Sequence, residues 1–143
     1  MARINIDLPG DFNFSTTIPV RITDLNYGGH VGNDAILSII HEARMQFLNH
    51  FGYSENNLAG AAMIMGDVAI TYKNELFYGD TLHISVAVSD ITKVSFDLLY
   101  LLEKEKDGQR VVIAKAKTGM ICFDYKKRKV VSLPEEVRQK WLA

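Results

Sequence analysis

The strongest constraint on this fold is a helix in the first third of the chain that is apolar on almost every side. It is predicted to run from Asn33 or Asp34, either of which would serve as N-cap, to about His50, with Gly52 as a stop signal. Its apolar positions are spread around most of the circumference: Ile36, Leu37, Ile39, Ile40, Ala43, Phe47, Leu48 and Phe51. Such a helix must be covered by other elements on most sides.

Long strands can supply that cover. One strand is predicted before the helix, over residues 14–22, where apolar and polar residues alternate. Four more are predicted after it, over 61–72, 80–89, 95–103 and 110–123. Pro19 lacks a backbone N–H, so the first strand is expected at an edge of the sheet. A short helix from Pro134 to Trp141 is expected to follow the sheet. The sequence thus predicts an α+β fold, a long antiparallel sheet wrapped around one buried central helix, in a single domain over 1–143.

Charge and cysteine usage exclude several kinds of partner. The net charge is −1, so a general basic field for nucleic acid is not expected. Cys122 is the single cysteine and cannot form an internal disulfide, which is typical of a reducing compartment. No apolar signal-peptide core opens the chain, and no apolar run approaches the ~18 residues of a membrane span. We therefore expect a cytoplasmic protein that binds neither nucleic acid nor membrane.

The residues that could form a reactive site are concentrated in residues 24–44, where a glycine-rich turn leads directly into the buried helix. Free backbone N–H groups and the helix dipole at such a position can polarise a carbonyl and stabilise an oxyanion. The polar candidates around that point are Asp24, Asn26, His30, Asn33, Asp34 and Glu42. An apolar slot for an acyl chain could come from Met63, Ile64 and Met65, because methionine adapts to irregular ligands. Together these groups are compatible with acyl transfer.

Each candidate also has a structural interpretation. His30 could simply bond to the backbone of a tight turn, and Asp34 could act only as an N-cap. A buried carboxylate without a partner is costly, so Glu42 must be paired, exposed or functional. Arg44 is not its expected partner, because residues two apart do not face each other on a helix. The basic run 126–129 is either a solvated hairpin tip or a phosphate contact for a nucleotide-bearing carrier.

A family resemblance covers nearly the whole chain. Residues 23–33, which read TDLNYGGHVGN, are followed by Glu42-Ala43-Arg44. This arrangement resembles the loop–helix signature of the hotdog-fold acyl-CoA thioesterases, in particular the 4-hydroxybenzoyl-CoA thioesterase-like branch. That signature reads Asp-x-Asp-x-x-Gly-His-Val-x-Asn and then Glu-Ala-Arg. The resemblance continues through 70–76 and 78–82 and ends near Leu133-Pro134.

The resemblance implies a hotdog fold and a homodimer whose sheets join edge to edge, paired further into a homotetramer. It also implies an active site at the subunit interface that hydrolyses an acyl-CoA or acyl-carrier thioester to the free acid and coenzyme A. No cofactor is implied beyond coenzyme A as part of the substrate, and no metal. The loop and the helix N-terminus would polarise the thioester carbonyl while a carboxylate attacks it or activates water. The predicted substrate-binding positions are therefore Tyr27, Gly28, Gly29, Val31 and Asn33 of the loop signature, together with Met63 and Met65 of the possible acyl slot.

The chain departs from the family pattern at the catalytic carboxylate, where Asn26 stands in place of the second aspartate. An amide cannot accept a proton at neutral pH, and losing a general base typically costs ~10²–10⁴ in rate. One explanation is a relocated base, with Glu42 as first choice and Asp34 as second. Asn26 and His30 would then position water and substrate, and Gly29 with its neighbours would supply oxyanion donors.

Two other functions stay open. The chain could be a non-hydrolytic acyl-thioester binding protein on the same fold, which Asn26 favours. It could also be a dehydratase-like or scaffolding hotdog protein. A polar stripe runs along one face of the buried helix through Asp34, Ser38, Glu42 and Gln46, each four residues apart. It argues against a pure scaffold, which would gain stability from apolar residues there.

Overall fold

The computed structural model describes residues 3–142, so the outermost ends of the predicted domain lie outside it. In chain order the elements are β1 (Phe14–Pro19), a 3₁₀ helix (Ile22–Asp24), α1 (Asn33–His50), β2 (Ala62–Tyr72), β3 (Thr81–Ser89), β4 (Ser95–Lys106), β5 (Gln109–Asp124), β6 (Lys129–Val130) and α2 (Glu135–Leu142). The antiparallel sheet has the order β1-β3-β4-β5-β2, with β6 paired to the end of β5. The predicted α+β arrangement of sheet and long helix is confirmed.

Two predicted boundaries are wrong at the start of the chain. β1 ends at Pro19 rather than at residue 22, and a 3₁₀ helix follows because the Asp24 carboxylate accepts the backbone N–H of Arg21 at 2.8 Å. The N-cap of α1 is Gly32, which offers no capping side chain, rather than Asn33 or Asp34. Both of those residues already have helical backbone geometry, so their side chains are free for other contacts.

The core lies between α1 and the inner face of the sheet. Ile40, Ala43, Phe47 and Leu48 on the helix are fully buried. The sheet meets them with the buried residues Leu82, Ile84, Val86, Phe96, Leu98, Leu102, Ala114 and Met120. Trp141 of α2 packs against the ring of Phe47 at 5.7 Å between centroids, and so closes the core at the C-terminal end of α1.

The side chain of Arg44, a residue of α1, is buried and has a structural role. Its Nε lies 3.3 Å from Glu55 Oε1, and its Nη1 donates to the hydroxyl of Tyr100 at 3.4 Å. The Tyr100 hydroxyl also lies 2.8 Å from Thr118 Oγ1. As helix spacing predicted, Arg44 does not pair with Glu42. A buried guanidinium held in this way ties α1 to the loop before β2 and to the sheet.

The two edges of the sheet differ in how they are protected. β1 forms one edge and carries Pro19, as predicted. β2 forms the other edge, and Met65, Val68 and Tyr72 on its inner face are 41%, 40% and 38% exposed. A long edge strand with exposed apolar side chains is a surface that another strand can join. Within residues 3–142, no helix combines the length and apolarity needed to cross a membrane.

Candidate active site

The loop before α1 is fastened at both ends. Asp24 is buried, and besides the Arg21 N–H it accepts Arg21 Nη2 at 3.1 Å, which raises the pKa of that guanidinium. The N–H of Gly32 donates to the backbone oxygen of Asp24 at 3.3 Å, and the N–H of Val31 donates to that of Leu76 at 2.8 Å. Asp24 therefore anchors the loop and is not free to react.

Asn26 organises the tip of the loop. Its N–H donates to His30 O at 2.9 Å, its Oδ1 accepts the N–H of Gly28 at 2.8 Å, and its backbone oxygen accepts the N–H of Gly29 at 3.1 Å. Gly29 has φ +83°, a conformation that glycine adopts without strain. The N–H groups of Gly28 and Gly29, candidates for oxyanion donors, are thus used within the loop itself. The Nδ2 donor of Asn26 has no acceptor among the described residues and is left for a ligand.

His30 is half-buried, and its Nδ1 lies 3.2 Å from the backbone oxygen of Val31. A carbonyl can only accept, so in the neutral ring Nδ1 carries the proton and Nε2 is an acceptor. The backbone contact expected for a histidine in a tight turn is therefore present, and it leaves Nε2 available. Tyr27, by contrast, is fully exposed at the loop tip.

The first turn of α1 presents unused donors. Among the described residues, none accepts a hydrogen bond from the N–H groups of Asn33, Asp34 or Ala35, and the first helical bond runs from Ile36 N–H to Gly32 O at 3.2 Å. The helix is 18 residues long, and its dipole adds to these donors. This end of α1 can therefore stabilise an anionic oxygen.

A carboxylate and an amide meet beside those donors. A methyl group built on Gly32 would lie 2.7 Å from Asp34 Oδ1 and 3.9 Å from Asn26 Nδ2. Both side chains therefore lie on the same side of the N-cap, in space that exists because residue 32 is glycine. Asp34, the second choice from the sequence for a relocated base, is thus next to Asn26.

Tyr72 completes this group, and sequence reasoning did not single it out. Its hydroxyl donates to the backbone oxygen of Asn33 at 3.3 Å. Burial and the Asp34 carboxylate both hold the pKa of Tyr72 above its ordinary value, so the hydroxyl stays protonated at neutral pH. The one signal that could have revealed it is Gly66, because a glycine inside a strand often marks a β-bulge that changes which face later residues occupy.

A cavity of about 220 Å³ adjoins the helix N-terminus. Its polar wall includes His30, Asn33 and Tyr72. The apolar residues that line it are Val31, Ile36, Leu76 and Ile113. The arrangement suits a ligand with a polar centre at the helix end and an apolar group in the cavity.

Glu42 lies elsewhere. It borders a groove of about 470 Å³ between β1 and α1, and its Oε2 accepts Gln46 Nε2 at 2.9 Å. Eight residues of helix separate it from Asp34, which is about 12 Å. Within one chain the structure therefore brings Asp34, and not Glu42, to the loop.

The methionine candidates are also distant. Met63 is buried in the core, and Met65 is exposed on the inner face of β2. Met65 is seven residues from Tyr72 along the strand, about 23 Å. Neither methionine lines the cavity at the helix N-terminus of its own chain.

Comparison with known families gives this geometry a context. The model of the thioesterase-like superfamily matches residues 20–141, from the end of β1 to α2. The chain belongs to the thioesterase-like superfamily. The match contains the loop, α1 and β2, and so includes every group described at the helix N-terminus.

Named relatives and solved structures are similar to this chain over most of its length. Long-chain acyl-CoA thioesterase FadM of Escherichia coli is 29% identical over 126 residues, which are 87% of this chain and 94% of that protein. The 1,4-dihydroxy-2-naphthoyl-CoA hydrolase of Microcystis aeruginosa is also 29% identical over 126 residues, 86% and 88% of the two chains. A thioesterase superfamily structure from Jannaschia sp. CCS1 superposes with a TM-score of 0.83 at 20% identity, and the match covers 94% of this chain and 84% of that one. These findings confirm the predicted hotdog fold and the predicted family.

Proposed function

We propose that this protein hydrolyses acyl-CoA thioesters to a free acid and coenzyme A. Relatives over most of its length are named for that class of reaction. The observation that carries the proposal is the helix N-terminus, where free N–H groups lie beside the Asp34 carboxylate and a partly apolar cavity is lined by Asn33 of the same helix turn. Acyl transfer requires a carbonyl-polarising group, a base and an acyl slot in this arrangement.

Each group has a defined task in the proposed reaction. The N–H groups of Asn33, Asp34 and Ala35 stabilise the oxyanion that forms when water adds to the thioester carbon. The Asp34 carboxylate takes the proton from that water. The C–S bond then breaks, and the thiolate of coenzyme A leaves and takes up a proton. Asn26 Nδ2 and His30 Nε2 orient the water and the substrate.

We place the base at Asp34 rather than at Glu42, the first choice from the sequence. Asp34 adjoins Asn26 and the unused helix donors, whereas Glu42 is about 12 Å along the helix and bonds to Gln46. Glu42 is the second candidate. Tyr72 supports the site by fixing the carbonyl of Asn33.

The proposed enzyme is a homodimer joined through β2. The unpaired edge of this strand and its three exposed inner-face side chains would be covered together by a second copy. A two-fold axis that keeps both helices on one face of the joined sheet runs perpendicular to it, so the two β2 strands pair antiparallel. Analytical ultracentrifugation tests this assembly. The mass of a dimer, or of the homotetramer that is also predicted, supports it, and the mass of a monomer contradicts it. A cytoplasmic location and a reaction without cofactor also stay predictions.

The test of the proposed function is thiol release from short, medium, long and aromatic acyl-CoAs, followed with a disulfide-exchange dye. Turnover that depends on enzyme concentration and prefers one acyl class supports the proposal. The reporter must be checked against Cys122, whose pKa burial raises to about 11, so the thiol should not react in the folded protein. Absence of turnover on the whole panel would refute hydrolysis.

A second function, non-hydrolytic binding of acyl thioesters, is favoured specifically by Asn26. Its Oδ1 is occupied by Gly28 N–H, so position 26 offers a donor where the family signature has a carboxylate. If this function is correct, the wild type binds acyl-CoA without turnover, and Asn26→Asp creates hydrolysis. Turnover by the wild type excludes it.

A further inference from the structure

The long strand β5 contains a β-bulge near its start. Leu102 of β4 pairs with Ala114 of β5. The next residue of β4, Glu103, pairs with Val112, so that Ile113 is left as the extra residue. Strict alternation from the inner residue Ala114 would place Ile113 on the outer face of the sheet. The bulge turns it inward instead, because Ile113 is 2% exposed and belongs to the hydrophobic core.

The side chain of Ile113 forms part of the end wall of the cavity at the helix N-terminus. It lines this cavity together with Val31, Ile36 and Leu76, and these four residues are only 2–6% exposed. Residues that line a cavity and yet have so little accessible surface are packed against other protein atoms on their remaining sides. The apolar end of the cavity is therefore closed by the core.

The backbone of the bulge holds a second wall of the same cavity. The backbone oxygen of Ile113 accepts the N–H of Lys73 at 2.8 Å and that of Asn74 at 3.3 Å. The backbone oxygen of Val112 accepts Asn74 Nδ2 at 2.7 Å. Lys73 and Asn74 both line the cavity. Because these contacts fix the two walls relative to each other, the depth of the cavity depends on the size of the side chain at position 113.

The volume of the cavity limits the group that it can hold. An apolar cavity of about 150 Å³ is large enough to bind a benzene ring. At about 220 Å³ this cavity has room for roughly eight carbon atoms on the same scale. A long alkyl chain would have to displace the end wall, and a close-packed core resists such a displacement.

We propose that Ile113 sets the upper size limit of the acyl group and makes the enzyme selective for short and medium acyl thioesters over long-chain ones. This inference rests on the proposed function, which places the acyl group in this cavity. Ile113 is a specificity-determining residue in this scheme. It contacts the far end of the acyl group and takes no part in the chemical step.

The experiment changes the side chain at position 113 and leaves the backbone of the bulge in place. Ile113→Ala removes most of the side chain from the end wall, and Ile113→Phe enlarges it. Ile113→Val removes one methyl group and keeps the β-branched shape that strands favour, so it replaces the alanine variant if that protein fails to fold. Ile84→Ala and Ile84→Val are the matched controls, because Ile84 is fully buried on β3 and does not line the cavity.

The first measurement is kcat/KM for a series of straight-chain acyl-CoAs from acetyl-CoA to palmitoyl-CoA. We expect the wild-type value to fall steeply beyond roughly eight carbon atoms. Ile113→Ala should move this limit by about two carbon atoms and raise kcat/KM for the first excluded acyl group about tenfold or more. Ile113→Phe should move the limit in the opposite direction, and both Ile84 variants should keep it. In an active enzyme, a limit that stays the same in every variant at position 113 overturns the inference.

The second measurement decides the case in which no acyl-CoA is hydrolysed. The affinities of the same acyl-CoAs for the wild type and the variants are then measured by calorimetry. A size limit in affinity that moves with the side chain at position 113 supports the inference, although the proposed hydrolysis has failed. Affinities that do not depend on position 113, or an absence of binding along the whole series, overturn it.

Discussion

The two carboxylates of the polar stripe on α1 share a helix face but have different surroundings. Asp34 lies in the first turn, beside unbonded N–H groups, Asn26 and the Tyr72 hydroxyl. Glu42 lies two turns later, where the helix N–H groups are already bonded, and its nearest partner is the amide of Gln46. The comparison shows that residue type and helix face do not define a base. The end of the helix and the loop that precedes it provide the polarising groups.

The largest expected effect separates these two carboxylates. Asp34→Asn should lower kcat for the preferred acyl-CoA by about 10²–10⁴ because it removes the proposed base. Glu42→Gln should leave kcat within a few-fold, since the groove between β1 and α1 takes no part in the proposed reaction. Steady-state thiol release by both variants measures the difference. The opposite ranking would move the base to Glu42 and the site to that groove.

A smaller effect is expected from filling the space that Asp34 and Asn26 share. Gly32→Ala places a methyl 2.7 Å from Asp34 Oδ1, so the carboxylate must move. We expect a fall in kcat of about tenfold to a hundredfold. Gly10→Ala is the control, because no atom lies within 4 Å of the corresponding methyl. Equal kcat for both variants would show that the position of Asp34 is not critical.

The loop before α1 is bonded at Val31 to the backbone oxygen of Leu76, so its position also depends on the turn before β3. This dependence should appear when stability is measured as a function of pH. Asp80 accepts Lys104 Nζ and the N–H of Phe77, each at 2.9 Å, and so fixes the turn next to Leu76. Burial alone would raise the pKa of Asp80, but these hydrogen bonds outweigh it, and the pKa is lowered. The stabilisation is therefore present above the unfolded pKa of about 3.9 and is lost as pH falls through the folded value.

Asp80→Asn should accordingly lower the free energy of unfolding by about 1–2 kcal/mol at pH 7. The gap to wild type should narrow as pH falls below the unfolded pKa of about 3.9 and through the lower folded value. Urea unfolding followed by circular dichroism at a series of pH values gives both quantities. A gap that does not depend on pH would show that the carboxylate charge is not the cause.

The smallest expected effect is a difference between alanine substitutions at two glycines that share the same φ angle. Gly29 in the loop and Gly52 after α1 both have φ +83° with open space around them. Alanine at either position should cost about 1 kcal/mol of stability, measured by urea unfolding. Only Gly29→Ala should also lower kcat, because Gly29 supports the loop beside the proposed site. Equal loss of kcat in both variants would indicate a general effect of stability.

Most of the secondary structure could be predicted because its signals are local. The apolar periodicity predicted α1 to within a residue of its observed start, and alternation predicted the five long strands. Pro19 placed β1 at an edge, and helix spacing excluded a pair between Glu42 and Arg44. The residues of the loop signature were also found, since Asn26, His30, Asn33 and Asp34 lie close together in the chain.

Tyr72 is the part of the candidate site that could not be predicted from the sequence, because its position depends on contacts between residues far apart in the chain. Met63 and Tyr72 are nine residues apart, so strict alternation would put them on opposite faces of β2. The bulge between Met65 and Asp67 shifts the register and places both on the inner face, where Tyr72 reaches Asn33. A single glycine in a strand pattern does not state where such a shift occurs.

The sequence alone determined that this chain forms a buried helix within an antiparallel sheet and carries a polar turn at the start of that helix. Periodicity and turn chemistry act over a few residues, so these features do not depend on the rest of the fold. Only the tertiary structure decided that the N–H groups of Gly28 and Gly29 serve the loop, that Gly32 is the N-cap, and that Asp34 rather than Glu42 adjoins Asn26. Those outcomes depend on how the loop packs against β2 and the turn before β3, which no local pattern specifies.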